Sequence, residues 1–137
     1  MSDDRVPSLT EAIELFNRQE FYACHDALEA IWNDSIEPEK NFYQGILQIG
    51  VGLYHLSNRN WRGAAILLGE GIGRLRFYQP THENIDVAKL IGESAVILQK
   101  VQQSGAEGIA DLATELTRDG SKLPKISLNS QLEQLEA

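Results

Sequence analysis

From Leu9 onward the apolar residues recur every three or four positions rather than every two, a period that predicts helices along most of the chain. Ser8-Leu9-Thr10-Glu11 is a capping-box pattern and starts the first helix, with Leu9, Ala12, Ile13 and Phe16 facing inward and polar Asn17-Arg18-Gln19 closing it. Phe21, Cys24, Leu28, Ile31 and Trp32 mark a second helix from Glu20 to about Asn33. Pro38, flanked by Glu37 and Glu39 that suit the positive end of a helix dipole, opens a third that runs to about Ser57.

That third helix is apolar on two flanks. Phe42, Ile46, Ile49, Leu53 and Leu56 form one and Tyr43, Leu47 and Tyr54 the other, which predicts a central position. Gly45, Gly50 and Gly52 each cost it about 1 kcal/mol relative to alanine and imply that neighbouring backbones come close. Asn60 caps a fourth helix whose Trp61, Ala64, Ala65, Leu68, Ile72 and Leu75 share a face until Pro80 stops it. Gly69, Gly71 and Gly73 sit inside this pattern and follow no strand, so they lack the setting of a phosphate loop.

A fifth helix starts near Thr81 to Asn84, carries Val87, Leu90, Ile91, Ile97, Leu98 and Val101, and stops at Gly105. Beyond it the chain is polar and broken, with a short helix over Ile109 to Leu116 and an extended Leu123 to Ile126 stretch. The expected organisation is a flexible N-terminus over 1–7, a helical domain over 8–104, and a polar C-terminal extension over 105–137 that is partly helical or extended. The expected fold class is all-α, a compact array of about five helices built from antiparallel helical hairpins. Asn17-Arg18 before Phe21 is echoed by Asn58-Arg59 before Trp61, about 40 residues later. This repeat is weakly similar to tetratricopeptide arrays, although two copies fall short of the three that a solenoid needs.

A chain of 137 residues, 42% hydrophobic and 23% charged, matches one globular domain. Its net charge of −8 argues against nonspecific nucleic-acid or anionic-membrane binding, and Arg59, Arg62, Arg74 and Arg76 read as ordinary solvated helix charges. Cys24 is the lone cysteine, so no intramolecular disulfide forms and a reducing cytoplasm is the expected location. Its apolar setting predicts a small buried side chain, with His25 pointing about 100° away around the helix. Residues 1–7 lack the apolar core of a signal peptide. The most apolar run, Phe42 to Leu56, is interrupted by Gln44, Gln48 and His55 and is shorter than the roughly 20 residues of a membrane helix.

Polar chemistry concentrates in two places. His25, Glu29 and Trp32, at i, i+4 and i+7, fall within about 60° of arc on the second helix. Gln44, Gln48 and His55 form a narrow seam on the third, with Val51 between them. Laid together, they make one enclosed cluster of His25, Glu29, Gln44, Gln48 and His55. The leading reading is structural: His25 and Glu29 hydrogen-bond across the helix pair and fix its register, and the glutamines satisfy the remaining groups. A second has His25, Glu29 and His55 bind a divalent metal such as zinc, with a position left open for water or substrate. In a third, metal-free reading, Glu29 orients His25 as a general base. The H-x-x-x-E spacing lacks the second histidine of the H-E-x-x-H metalloprotease motif. Trp32 and Trp61 read as core or hairpin-packing residues, and His82 as a solvated loop residue without a role.

The segment from Phe16 to Trp32, with its H-x-x-x-E-x-x-W pattern, resembles the domain of unknown function 309 family of small prokaryotic helical proteins. The likeness continues through Phe42-Tyr43-Gln44-Gly45-Ile46-Leu47-Gln48, Gly52-Leu53-Tyr54-His55 and Asn60-Trp61-Arg62-Gly63-Ala64, over roughly residues 9 to 103. It implies a compact array of helical hairpins with no assigned molecular function. It marks His25, Glu29 and Trp32 as motif positions and Gln44, Gln48 and His55 as their companions. Asn33 stands where family members often have arginine. The resulting expectation is a binding or interaction module for a small ligand, a metal or a protein, the last including a second copy of the chain. The alternative is a metal-dependent hydrolase using His25, Glu29 and His55.

Overall fold

The computed structural model describes residues 6–129, so the N-terminal stretch 1–5 and the end of the expected extension, 130–137, lie outside the described residues. Its helices are α1 (Leu9–Asn17), α2 (Phe21–Asn33), α3 (Glu39–Ser57), α4 (Trp61–Leu75) and α5 (Val87–Thr117). A 3-10 turn at Arg76–Tyr78 and a two-residue ladder of β1 (Thr81–His82) with β2 (Ile85–Asp86) join α4 to α5. The fold is the expected all-α array. None of the described helices is long and apolar enough to cross a membrane.

The hairpin echo is real, with a period of 40 residues set by backbone chemistry. α1 ends with Gln19 in the left-handed region (φ 65°), and α3 ends with Arg59 likewise (φ 62°). Gln19 N donates to Phe16 O at 2.9 Å and Glu20 N to Leu15 O at 3.0 Å; Arg59 N and Asn60 N repeat the pattern on Leu56 O and His55 O at 3.0 and 2.8 Å. Both turns thereby satisfy helix-end carbonyls in the same way and reverse the chain within three residues.

α3 is central, packed by α2, α4 and α5. Phe42, Ile46, Ile49, Leu53 and Leu56 are all buried in the core. The close approach expected of its glycines holds against α4: a Cβ on Gly71 would lie 2.9 Å from Gly45 O, and one on Gly52 3.0 Å from Leu68 N. It does not hold at Gly50, where a Cβ would meet Phe16 at an ordinary 3.9 Å.

α5 starts at Val87 rather than in the stretch from Thr81 to Asn84, because Thr81–Asp86 forms the small hairpin instead. Its turn residues Glu83 and Asn84 are left-handed (φ 50° and 66°), and Asp86 then caps α5 by accepting from Lys89 N at 3.0 Å. Gly105 (φ 63°, ψ 179°) is non-helical and divides α5 at a kink into two helices, so the first of them stops at Gly105 as expected and a second follows. The chain beyond Gly105 adds Ile109, Ala113, Leu116, Leu123 and Ile126 to the same core. Asn17 clasps its far end, donating from Nδ2 to Ile126 O at 2.9 Å while Oδ1 accepts from Ile126 N at 2.7 Å.

Candidate functional site

α2 packs on α3, and the two helices together line the cavities that hold His25, Trp32, Gln44 and His55. His25 and His55 line a cavity of about 200 Å³ with Phe21, Tyr22, Val51 and Tyr54. A second cavity, of about 520 Å³, shares Phe21, Tyr22 and Tyr54 and is bounded by Glu20, Ser57, Thr117 and Leu123. The two form a groove divided by Tyr22 and Tyr54, whose ring centroids are 5.9 Å apart. Both tyrosines are exposed, by 66% and 36%.

His55 is held from the start of α4. Asn60 Oδ1 accepts from Gly63 N at 3.0 Å as the helix cap, which turns its Nδ2 toward His55 Nδ1 at 3.2 Å. The cap therefore makes Nδ1 the acceptor and leaves the ring proton on Nε2. His25 has only a 3.5 Å approach from Nδ1 to Asp26 Oδ1. Glu29 is exposed and, among the described residues, has no side-chain hydrogen bond or ion pair.

The single enclosed cluster of His25, Glu29, Gln44, Gln48 and His55 does not form. Seven residues of helix separate the two ends of a motif by about 10 Å, and eleven by about 16 Å, so the two lines of polar residues are spread along the helix pair, and of them only His25 and His55 line the groove. Gln48 is turned to α4, donating to Glu70 Oε1 at 3.1 Å and accepting from Arg74 Nε at 3.0 Å. Arg74 also donates to Asn41 Oδ1. Trp32 and Gln44 line a separate cavity of about 210 Å³ with Glu37, Lys40, Asn41 and Arg74, where Lys40 Nζ stands 4.3 Å above the Trp32 ring.

Two readings outside this region are sharpened. Cys24 is buried, with Sγ donating to Ala12 O at 3.4 Å, and burial pushes its thiol up to about 12. His82 is not a solvated loop residue: its ring lies edge-on to Phe42 and Tyr78 at 4.6 and 4.9 Å, and Nε2 stands 3.3 Å from Glu39 Oε2. The turn that carries His82 to the start of α3 left no periodic trace in the sequence.

Against known proteins, the chain is similar to the Uncharacterized protein YpuF of Bacillus subtilis (strain 168), 29% identical over 75 residues, or 54% of this chain. The match spans only 41% of that protein's length. No solved structure matches. Residues 9–67, which run from α1 into α4 and hold His25, Glu29, Trp32, Gln44, Gln48 and His55, match the family Domain of unknown function (DUF309). Over this segment, which is less than half of the chain, the protein is similar to the DUF309 family.

Proposed function

We propose that the protein is a binding module whose α2–α3 groove receives a basic, amphipathic segment of a protein partner. The observation that carries this reading is the exposed Tyr22–Tyr54 pair standing over two cavities. Interfaces are anchored by such aromatics, which bring large area at small entropic cost, and an apolar side chain of a docked helix fits the cavity between the two histidines. Asp26 and Glu29 stand exposed beside the groove on α2, in a chain of net charge −8, so they complement lysine or arginine on the segment.

The hydrolase reading of His25, Glu29 and His55 draws less support, because Glu29 makes no hydrogen bond or ion pair with either histidine and each ring nitrogen with a partner is engaged by a neighbour on its own chain segment. Nitrogen-15-labelled protein titrated with a helical leucine–lysine peptide tests the proposal, with a leucine–glutamate peptide as control. Saturable shifts at Tyr22, His25, Tyr54 and His55 with the basic peptide alone are expected. Shifts elsewhere, or equal response to both peptides, overturn it. So does concentration-dependent broadening of Tyr22 and Tyr54 without peptide, which assigns the groove to a second copy of the chain.

A further inference from the structure

Outside the groove, and sharing none of its lining residues, the start of α3 meets the β1–β2 turn. One ligand atom from each of Glu39, His82 and Glu83 lies within 4.8 Å of the others. We propose that these three side chains bind a divalent cation of the zinc class.

The imidazole is fixed before any ion arrives. Phe42 and Tyr78 hold the His82 ring by edge-on contacts at 4.6 and 4.9 Å. Tyr78 is itself anchored by its hydroxyl, which donates to Pro38 O at 2.8 Å. The backbone under the ring is tied on the other side, where Asp86 N donates to Ser127 O at 2.9 Å and Asn129 N to Asn84 O at 2.8 Å.

The nitrogen this arrangement presents is chemically unfinished. Nε2 of His82 is shielded from solvent and makes no hydrogen bond, although Glu39 Oε2 is only 3.3 Å away. A buried polar atom without a hydrogen bond is rare and calls for an explanation. A cation between the two supplies it: donors bonded at about 2.1 Å to a tetrahedral centre stand about 3.4 Å apart, the spacing already present.

Glu83 completes the set. Tyr43 donates its hydroxyl to Glu83 Oε2 at 2.8 Å, which orients the carboxylate and leaves Oε1 for the metal. A partner that orients a ligating carboxylate is the usual outer support of a metal site. One nitrogen and two carboxylate oxygens suit zinc better than magnesium, which prefers oxygen alone, and leave a fourth position for water. The residues lie outside the 9–67 segment, except Glu39, so the site belongs to this chain's hairpin rather than to the matched family segment.

The test is isothermal titration of the full, untagged chain, stripped by a chelator, with zinc chloride and then magnesium chloride. About one zinc per chain is expected, with magnesium much weaker. Glu39→Gln and Glu83→Gln keep side-chain volume and should each weaken zinc about tenfold or more, and His82→Ala should abolish saturable uptake. A His25→Ala, His55→Ala variant should bind zinc as the parent does. Circular dichroism establishes that each variant is folded, and a zinc-induced shift of the His82 ring nitrogens locates the ion. No saturable uptake, uptake that survives Glu39→Gln and Glu83→Gln in folded protein, or uptake lost only with His25 and His55, overturns the assignment.

Discussion

Asn60 joins a helix cap to a histidine: its Oδ1 accepts from Gly63 N at 3.0 Å while its Nδ2 meets His55 Nδ1 at 3.2 Å. The turn that starts α4 and the ring that lines the groove are thus one unit, with the ring proton assigned to Nε2 by the cap.

Substitution separates the two duties of Asn60. Asn60→Asp keeps the cap acceptor and removes the donor to His55, so stability should change by less than about 0.5 kcal/mol while the His55 ring nitrogens shift in long-range proton–nitrogen spectra. Asn60→Ala removes both and should cost about 1 kcal/mol in denaturant unfolding. An unchanged His55 spectrum in Asn60→Asp contradicts the assignment.

Two glycines of α4 should respond with opposite sign. A Cβ on Gly63 would stand 2.8 Å from the His55 ring, whereas nothing lies within 4 Å of one on Gly73. Gly63→Ala should therefore destabilise by about 1–3 kcal/mol, and Gly73→Ala should stabilise by about 0.5–1 kcal/mol through helix propensity. Equal effects on the urea midpoint would remove the packing argument for His55.

How far the sequence carried this picture varies by residue. Ser8 and Glu11 announce α1, and the two apolar flanks of α3 announce its central place, because capping and periodicity are local. His25, Glu29 and Trp32 were correctly placed on one helix, but the element opposite each was not legible: Gln48 looks outward to α2 on a wheel and is taken by Glu70 and Arg74 of α4. His82 was missed for the same reason, since its surroundings, Phe42, Tyr78 and Glu39, are gathered by tertiary folding. Gly105 was legible as a helix stop because positive φ is a local signal that glycine alone meets without strain, and the chain then starts a second helix beyond the kink.

Alkali should weaken the fold through Cys24. An unfolded chain leaves its thiol near the ordinary 9.0, and burial in the native state pushes it up to about 12. Between those values the unfolded state holds fewer protons than the native one, so stability falls as pH rises, by at most about 1.4 kcal/mol per pH unit. Tyr43, raised by burial and by its hydrogen bond to Glu83, acts in the same direction. Unfolding of the parent and Cys24→Ala, compared from pH 8 to 11, should diverge above pH 9; parallel profiles rule out the thiol as the cause.

The most direct measurement of the central claim is the affinity of the leucine–lysine peptide for the parent and for a Tyr22→Ala, Tyr54→Ala variant, read by fluorescence anisotropy beside thermal melts. Because both tyrosines are exposed, the variant should melt within a few degrees of the parent yet bind about tenfold or more weakly. Undiminished binding by a folded variant would contradict the groove as the docking site.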